Sequence, residues 1–180
     1  MRIISGQARG RKLTTLPGDN TRPTLDRTRE ALFNILQTRV FDAQVLDLFA
    51  GSGALALEAL SRGAACAVLC DHSPEACAVI EQNIDAVRVR DRAQLLRCEA
   101  QDALVRLKGR QFDLIFLDPP YHKGLVDEAL RGIAAGGLLA DGGRICAETA
   151  ADEGFDVPAG LALSDQRRYG KSLLHFIERA

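Results

Sequence analysis

Residues 45–55 read Val45-Leu46-Asp47-Leu48-Phe49-Ala50-Gly51-Ser52-Gly53-Ala54-Leu55. The apolar run Val45 to Phe49 has strand character, the two glycines mark a tight turn, and Ala54 to Ser61 has the Ala and Leu content of a helix. Strand, glycine turn and helix in that order open a βαβ unit. Gly51 and Gly53 let the backbone pass close to a ligand, and Ala56 lets the helix pack tightly against the sheet.

The alternation continues on the carboxyl side. Strand-like runs fall at Ala67 to Cys70, Gln94 to Cys98, Phe112 to Leu117 and Arg144 to Glu148, with helical patterns at Pro74 to Val87, Asp102 to Leu107 and about Gly124 to Ala134 between them. Each strand is almost continuously hydrophobic, which implies a mostly parallel sheet with helices on both faces. Leu161 to Tyr169 and Ser172 to Glu178, joined at Gly170-Lys171, predict an antiparallel hairpin that closes the sheet at seven strands. The expected fold is α/β and Rossmann-like.

On the amino side, Arg2 to Ser5 and Arg11 to Thr14 read as a small hairpin. Thr24 is a candidate N-cap for a helix through about Gln37, with Leu25, Leu32, Phe33, Ile35 and Leu36 at helical spacing. Residues 1–39 thus form a basic arm and helix on a core of residues 40–180, the whole being one domain.

With 180 residues, 47% hydrophobic and 26% charged, the chain has enough Leu, Ile, Val and Ala to bury a core, which excludes disordered and fibrous classes. No run approaches the length of a membrane span, and Met1-Arg2-Ile3-Ile4-Ser5-Gly6 lacks the apolar centre of a signal peptide, so a cytosolic (cytoplasmic) protein is expected. The cysteines Cys66, Cys70, Cys77, Cys98 and Cys146 contain no CxxC pair and read as small core residues. His72, His122 and His175 show no ligand spacing with them, so no metal site is expected.

The net charge of −1 hides an asymmetry. Through Arg39 there are eight basic and three acidic residues, a balance of +5, and the remainder carries −6. A basic segment on an acidic body suits a polyanion held by one face. Arg9, Arg11 and Lys12 in the arm, with Arg22, Thr24, Arg27 and Arg29 around the helix start, form the candidate contact set.

Ligands of open α/β sheets bind at the carboxyl ends of the strands. Asp47 sits at the first such end, where a carboxylate would repel pyrophosphate and instead fits a cationic or amine-bearing ligand. Asp71, 20 residues after Gly51, is placed to accept both ribose hydroxyls; the alternative is a helix cap before Pro74. Glu99, with the Ala100 backbone beside it, is placed for an adenine amino group, Asp102 being the alternative.

Asp118-Pro119-Pro120-Tyr121 follows the fourth strand directly. An exocyclic amine of a nucleobase is a poor nucleophile, because its lone pair is delocalised into the ring. Asp118 and the Pro119 carbonyl supply two acceptors for its hydrogens, while Pro119 and Pro120 fix the backbone so that both aim at one nitrogen. Tyr121 is placed to stack on an extruded base.

These residues resemble the class I methyltransferases that use S-adenosylmethionine, of the type carrying Asp-Pro-Pro-Tyr. Further stretches resemble the bacterial RsmD family: Arg2-Ile3-Ile4-Ser5-Gly6 with Gly10-Arg11-Lys12-Leu13; Arg22-Pro23-Thr24-Leu25-Asp26-Arg27-Thr28-Arg29-Glu30-Ala31-Leu32-Phe33-Asn34; and Glu58-Ala59-Leu60-Ser61-Arg62-Gly63-Ala64. The resemblance covers nearly the whole chain.

It implies an enzyme that methylates the N2 amine of a guanine in 16S ribosomal RNA of the small subunit by direct in-line displacement; a monomer is the default expectation. Phe49, Ala50, Gly51, Ser52 and Gly53 would wrap the methionine part of the cofactor, Asp71 the ribose, and Glu99 with Ala100 the adenine. Residues Asp118 to Tyr121 would hold the guanine, and Arg22 to Arg29 would line the entrance for cofactor and RNA. The family often has glutamate where this chain has Asp71. On local chemistry alone adenine N6 and cytosine N4 stay open, as does a non-catalytic RNA-binding role. A nicotinamide dehydrogenase would share the glycine turn and Asp71 but gives no reason for Asp47 or Asp118 to Tyr121.

Overall fold

The strand order β3-β2-β1-β4-β5-β7-β6 puts the first strand inside a seven-stranded sheet, next to the central β4. In this computed structural model, which describes residues 1–17 and 23–180 (without the side chains of residues 23–25), the strands are β1 Gln44–Asp47, β2 Cys66–Asp71, β3 Ala93–Arg97, β4 Phe112–Leu117, β5 Leu139–Ala150, β6 Leu161–Tyr169 and β7 Ser172–Arg179. The helices are α1 Pro23–Leu36, α2 Ala54–Ser61, α3 Pro74–Val87, α4 Ala100–Arg106 and α5 Leu125–Gly136. Strands β1 to β5 pair in parallel, and β7 runs antiparallel to both β5 and β6. Because β6 thereby runs parallel to β5, the Gly170-Lys171 turn, with Arg167 and Arg168 near it, lies at the carboxyl end of the sheet.

Alternation along the central strands divides the interior into two layers. Val45, Ala67, Leu69, Leu114 and Phe116 face Leu32, Phe33 and Leu36 of α1, α2 and α3. Leu46, Leu48, Val68, Ile115 and Leu117 face α4 and α5. Each of the Val, Leu, Ile and Phe side chains among them, almost wholly withdrawn from water, contributes about 1.5–3 kcal/mol of transfer free energy. The order reverses between β1 and β4, which opens the crevice where ligands of such sheets bind.

Several boundaries differ from the sequence expectation. Helix α1 begins at Pro23, so Thr24 lies in its first turn rather than ahead of it; proline is favoured there because its missing N–H would be unpaired anyway. Helix α4 begins at Ala100, with Glu99 as its N-cap residue. Gln37–Val40 is a short 3-10 turn, and β5 starts at Leu139, well before Arg144. Proline and serine do set the start of α3: Ser73 Oγ accepts from Ala76 N at 3.2 Å, with Pro74 next to it.

The amino-terminal arm is held by side chains more than by strand pairing. Its two β-like runs meet in a single antiparallel bridge, Arg2 with Lys12. The carboxylate of Glu58 on α2, fully buried, accepts from Ile4 N at 2.8 Å, Ser5 N at 3.0 Å and Arg62 Nε at 2.8 Å. The Arg62 guanidinium in turn lies 4.8 Å from the Phe33 ring centre, tying α2 to α1. Ser61 Oγ donates to Ser5 O and accepts from Ala8 N. At Gly6 the backbone passes so close to Ser61 that a Cβ would sit 1.9 Å from its carbonyl oxygen. Among the described residues, no helix is long and apolar enough to cross a membrane, and all five cysteines are free thiols.

Candidate active site

Strands β1 and β4 are neighbours in register, Asp47 beside Phe116, so the glycine turn after β1 and Asp118 after β4 emerge side by side. Between them, under α1, lies a cavity of about 610 Å³. Its wall contains Asp47, Phe49, Ala50, Gly51 and Ser52 from the first turn, Asp71 from the end of β2, and Glu99 and Ala100 beyond β3. Asp118, Pro119, Pro120 and Tyr121 complete it from the β4 side.

Gly53 is not part of this wall. At φ +78° it occupies the left-handed region, and a Cβ there would meet Leu69 Cδ2 at 3.0 Å, so it serves the turn and the packing of α2 on the sheet. Gly51 N instead donates to Asp71 Oδ2 at 2.9 Å. The other oxygen of Asp71 accepts from Ser73 N at 2.9 Å, so this carboxylate braces both the glycine turn and the start of α3. Each oxygen retains a lone pair for a further donor.

Asp47 is 1% exposed. Its Oδ2 accepts from Ala56 N at 3.2 Å, and its Oδ1 is buried without a hydrogen-bond partner among the described residues. Burial pushes the Asp47 carboxyl up to about 7; the Ala56 N–H opposes the rise and the charge of Asp71 adds to it. A buried acceptor with an unused oxygen at a cavity wall fits a cationic or N–H-bearing ligand.

The basic set divides. Arg29 is 5% exposed and lines the cavity with Thr28 and Leu32 of the same helix. Its Nη2 donates to Arg2 O and to Asp26 Oδ1, at 2.5 and 3.1 Å, while Nε and Nη1 are buried without partners among the described residues. Burial lowers its pKa, against the pull of Glu58 and Asp26. A guanidinium in that state calls for an anion inside the cavity rather than one on the surface. Arg27 is exposed, and Arg9, Arg11 and Lys12 are exposed on the arm, none of them in the cavity wall. Arg22 and the side chain of Thr24 lie outside the described residues.

Tyr121 is 40% exposed, and its hydroxyl donates to Glu148 Oε1 at 2.9 Å. Burial, then the charge of Glu148, holds the phenol well above its ordinary pKa, so it remains a donor. The next residue, His122, adopts φ +59° and donates its N–H to Glu153 Oε1 at 2.9 Å, fixing the turn from its outer side. Glu99 is exposed, with its Oε2 3.9 Å from His72 Nδ1. Sequence reasoning missed Glu148. The signal was there, an acidic residue at the end of an apolar strand-like run, like Asp47 and Asp71.

A family model described as Conserved hypothetical protein 95 matches residues 1–178. The Escherichia coli (strain K12) protein named Ribosomal RNA small subunit methyltransferase D is 38% identical over 180 residues, spanning 99% of this chain and 90% of its own length. Among solved structures, the Escherichia coli protein yhhF superposes with a TM-score of 0.89 at 39% identity, covering 99% of this chain and 97% of its own. A hypothetical protein of Thermus thermophilus does so with a TM-score of 0.83 at 32% identity, covering 99% of each chain. With a family model matched over residues 1–178 and similarity along nearly its whole length, the chain belongs to the RsmD family of methyltransferases.

Proposed function

We propose that this protein transfers a methyl group from S-adenosylmethionine to the exocyclic N2 of a guanine in the 16S ribosomal RNA of the small subunit. The observation that carries the reading is the convergence of Asp118-Pro119-Pro120-Tyr121 and the Asp47 turn on one cavity at the reversal of strand order. The small-subunit substrate is supported by the name of the Escherichia coli relative.

The cofactor, when bound, supplies an electrophilic methyl group on a cationic sulfur, so the amine attacks without prior activation of the donor. The residues present fit it: Asp47 offers an unused buried oxygen to positive charge or N–H, and Arg29 offers two unused donors to a carboxylate. Asp71 would hold the ribose and Glu99, with Ala100, the adenine; all three line the cavity. Asp118 and the Pro119 carbonyl would hold the two amine hydrogens, turning the nitrogen lone pair out of conjugation, while Tyr121 stacks on the base. The proton lost from N2 passes to Asp118 or to water.

The test is methyl transfer from labelled S-adenosylmethionine to small subunits and to naked 16S RNA from cells lacking this protein, followed by nucleoside analysis. Label in N2-methylguanosine, absent with Asp118→Ala although that variant still binds cofactor, is the expected result. Normal turnover by Asp118→Ala, or label in another nucleoside, would overturn the assignment.

A further inference from the structure

The cavity presents a third acceptor beside the two assigned to the amine. Strands β4 and β5 are parallel neighbours, with Leu117 opposite Ala147. One residue further on, Asp118, just past the end of β4, and Glu148, still within β5, therefore stand on the same side of the sheet, and both line the cavity. The bond from the Tyr121 hydroxyl fixes Glu148 through Oε1, and Oε2 has no partner among the described residues. The carboxylate is thus anchored to the residue on which the base is to stack, with one oxygen left over.

We propose that Glu148 reads the ring nitrogen next to the methylated amine on the Watson–Crick edge and thereby selects guanine. This rests on the guanine-N2 reading and deepens it. The three bases with exocyclic amines differ at that atom. In guanine it is N1, which carries a hydrogen and donates. In adenine it is N1, and in cytosine N3, each with a lone pair and no hydrogen. A carboxylate accepts from the first and repels the other two, so an acceptor here separates guanine from bases that Asp118 and Pro119 treat alike. Sites built to bond a substrate N–H reject analogues lacking it by large factors, because the buried partner is left unpaired. Glu148 is a specificity residue, and Tyr121 positions it.

The experiment compares two versions of the small subunit: one with its natural target guanine, and one with 2-aminopurine at that position, introduced by ligating 16S RNA fragments. 2-Aminopurine keeps the amine but has a lone pair at N1. For the unaltered enzyme kcat/KM should favour guanine by about 100-fold or more. In Glu148→Gln the side-chain amide can turn its NH2 toward N1, so guanine transfer should fall, 2-aminopurine transfer should rise, and their ratio should close to less than about tenfold. If Glu148→Gln does not fold, Glu148→Asp keeps the charge but withdraws it by one methylene, and the ratio should again narrow. An equal loss on both substrates, with the ratio unchanged while N2-methylguanosine is still formed, overturns the role of Glu148 and leaves the proposed reaction standing. Transfer by the unaltered enzyme to adenine N6 or cytosine N4 instead overturns both.

Discussion

Asp71 Oδ2 accepts the Gly51 N–H at 2.9 Å, so the acidic end of the second strand holds the glycine turn that follows the first. The residue proposed for the ribose thus also shapes the wall proposed to face the methionine part of the cofactor. Asp71→Asn would keep one acceptor but set an NH2 against the Gly51 or Ser73 N–H. Hydrogen bonds to charged groups contribute about 1.5–3 kcal/mol each. The variant should lose about 3–12 °C in Tm, by the usual 2–4 °C per kcal/mol for a chain of this size. Calorimetry should show S-adenosylmethionine affinity falling at least tenfold. Unchanged affinity would confine Asp71 to bracing the turn.

The buried carboxyl of Asp47 makes a prediction about pH. Between about pH 4 and 7 the folded chain keeps a proton on Asp47 that the unfolded chain has released, so stability falls as pH rises through that window. At 1.36 kcal/mol per unit, a shift to about 7 corresponds to a loss of the order of 4 kcal/mol across it. Asp47→Asn should flatten this part of the stability profile in urea unfolding. A cationic ligand favours the ionised carboxylate, so cofactor binding near pH 6.5 should release protons, seen by titration calorimetry in buffers of different ionisation enthalpy. The Asp47→Asn variant should release none.

Glu58 has no part in the cavity wall, yet three donors converge on it. Removing one partner of a buried, hydrogen-bonded charge pair costs about 3–5 kcal/mol. Glu58→Ala should therefore be among the most destabilising single changes on α2, and should free the arm. Limited proteolysis should cut within residues 4–12 of the variant under conditions that leave the parent intact. Cutting at the same rate in both would show that the arm is held mainly by its apolar residues, Ile3 and Leu13, which are buried against the same core.

The strand and helix pattern was legible because the central strands are buried on both faces and therefore almost continuously apolar, and α3 carries its own start signal in Ser73-Pro74. The carboxylates at strand ends were legible for the converse reason, since an acid breaking an apolar run needs a partner or a ligand. The division of labour within the basic segment was not. Arg27 and Arg29 look alike in sequence, but the helix turns one to solvent and the other into the cavity. Gly51 and Gly53 likewise share a motif, and only the approach of Leu69 separates the packing glycine from the one in the wall. The side-chain clamp of Glu58 on the arm joins residues 53 and 54 positions apart, a distance no local pattern spans.

Arg29 supplies the last prediction. Its Nε and Nη1 are buried without partners among the described residues and its side chain lines the cavity, whereas Arg9, Arg11 and Lys12 are exposed and lie outside the wall; we propose on that ground that it meets the carboxylate of the cofactor rather than an RNA phosphate. Arg29→Met fills similar volume without the charge, and the uncharged side chain spares the desolvation cost that lowers the arginine's pKa. The fold should therefore survive. S-adenosylmethionine should bind at least tenfold more weakly to the variant, while the decarboxylated cofactor, which has no anion to lose, should bind parent and variant about equally. Arg11→Ala, by contrast, should leave cofactor affinity alone and reduce the salt dependence of RNA binding, since a surface cation acts on the backbone charge. If Arg29→Met instead weakens RNA binding and spares the cofactor, Arg29 belongs with the surface set despite its burial.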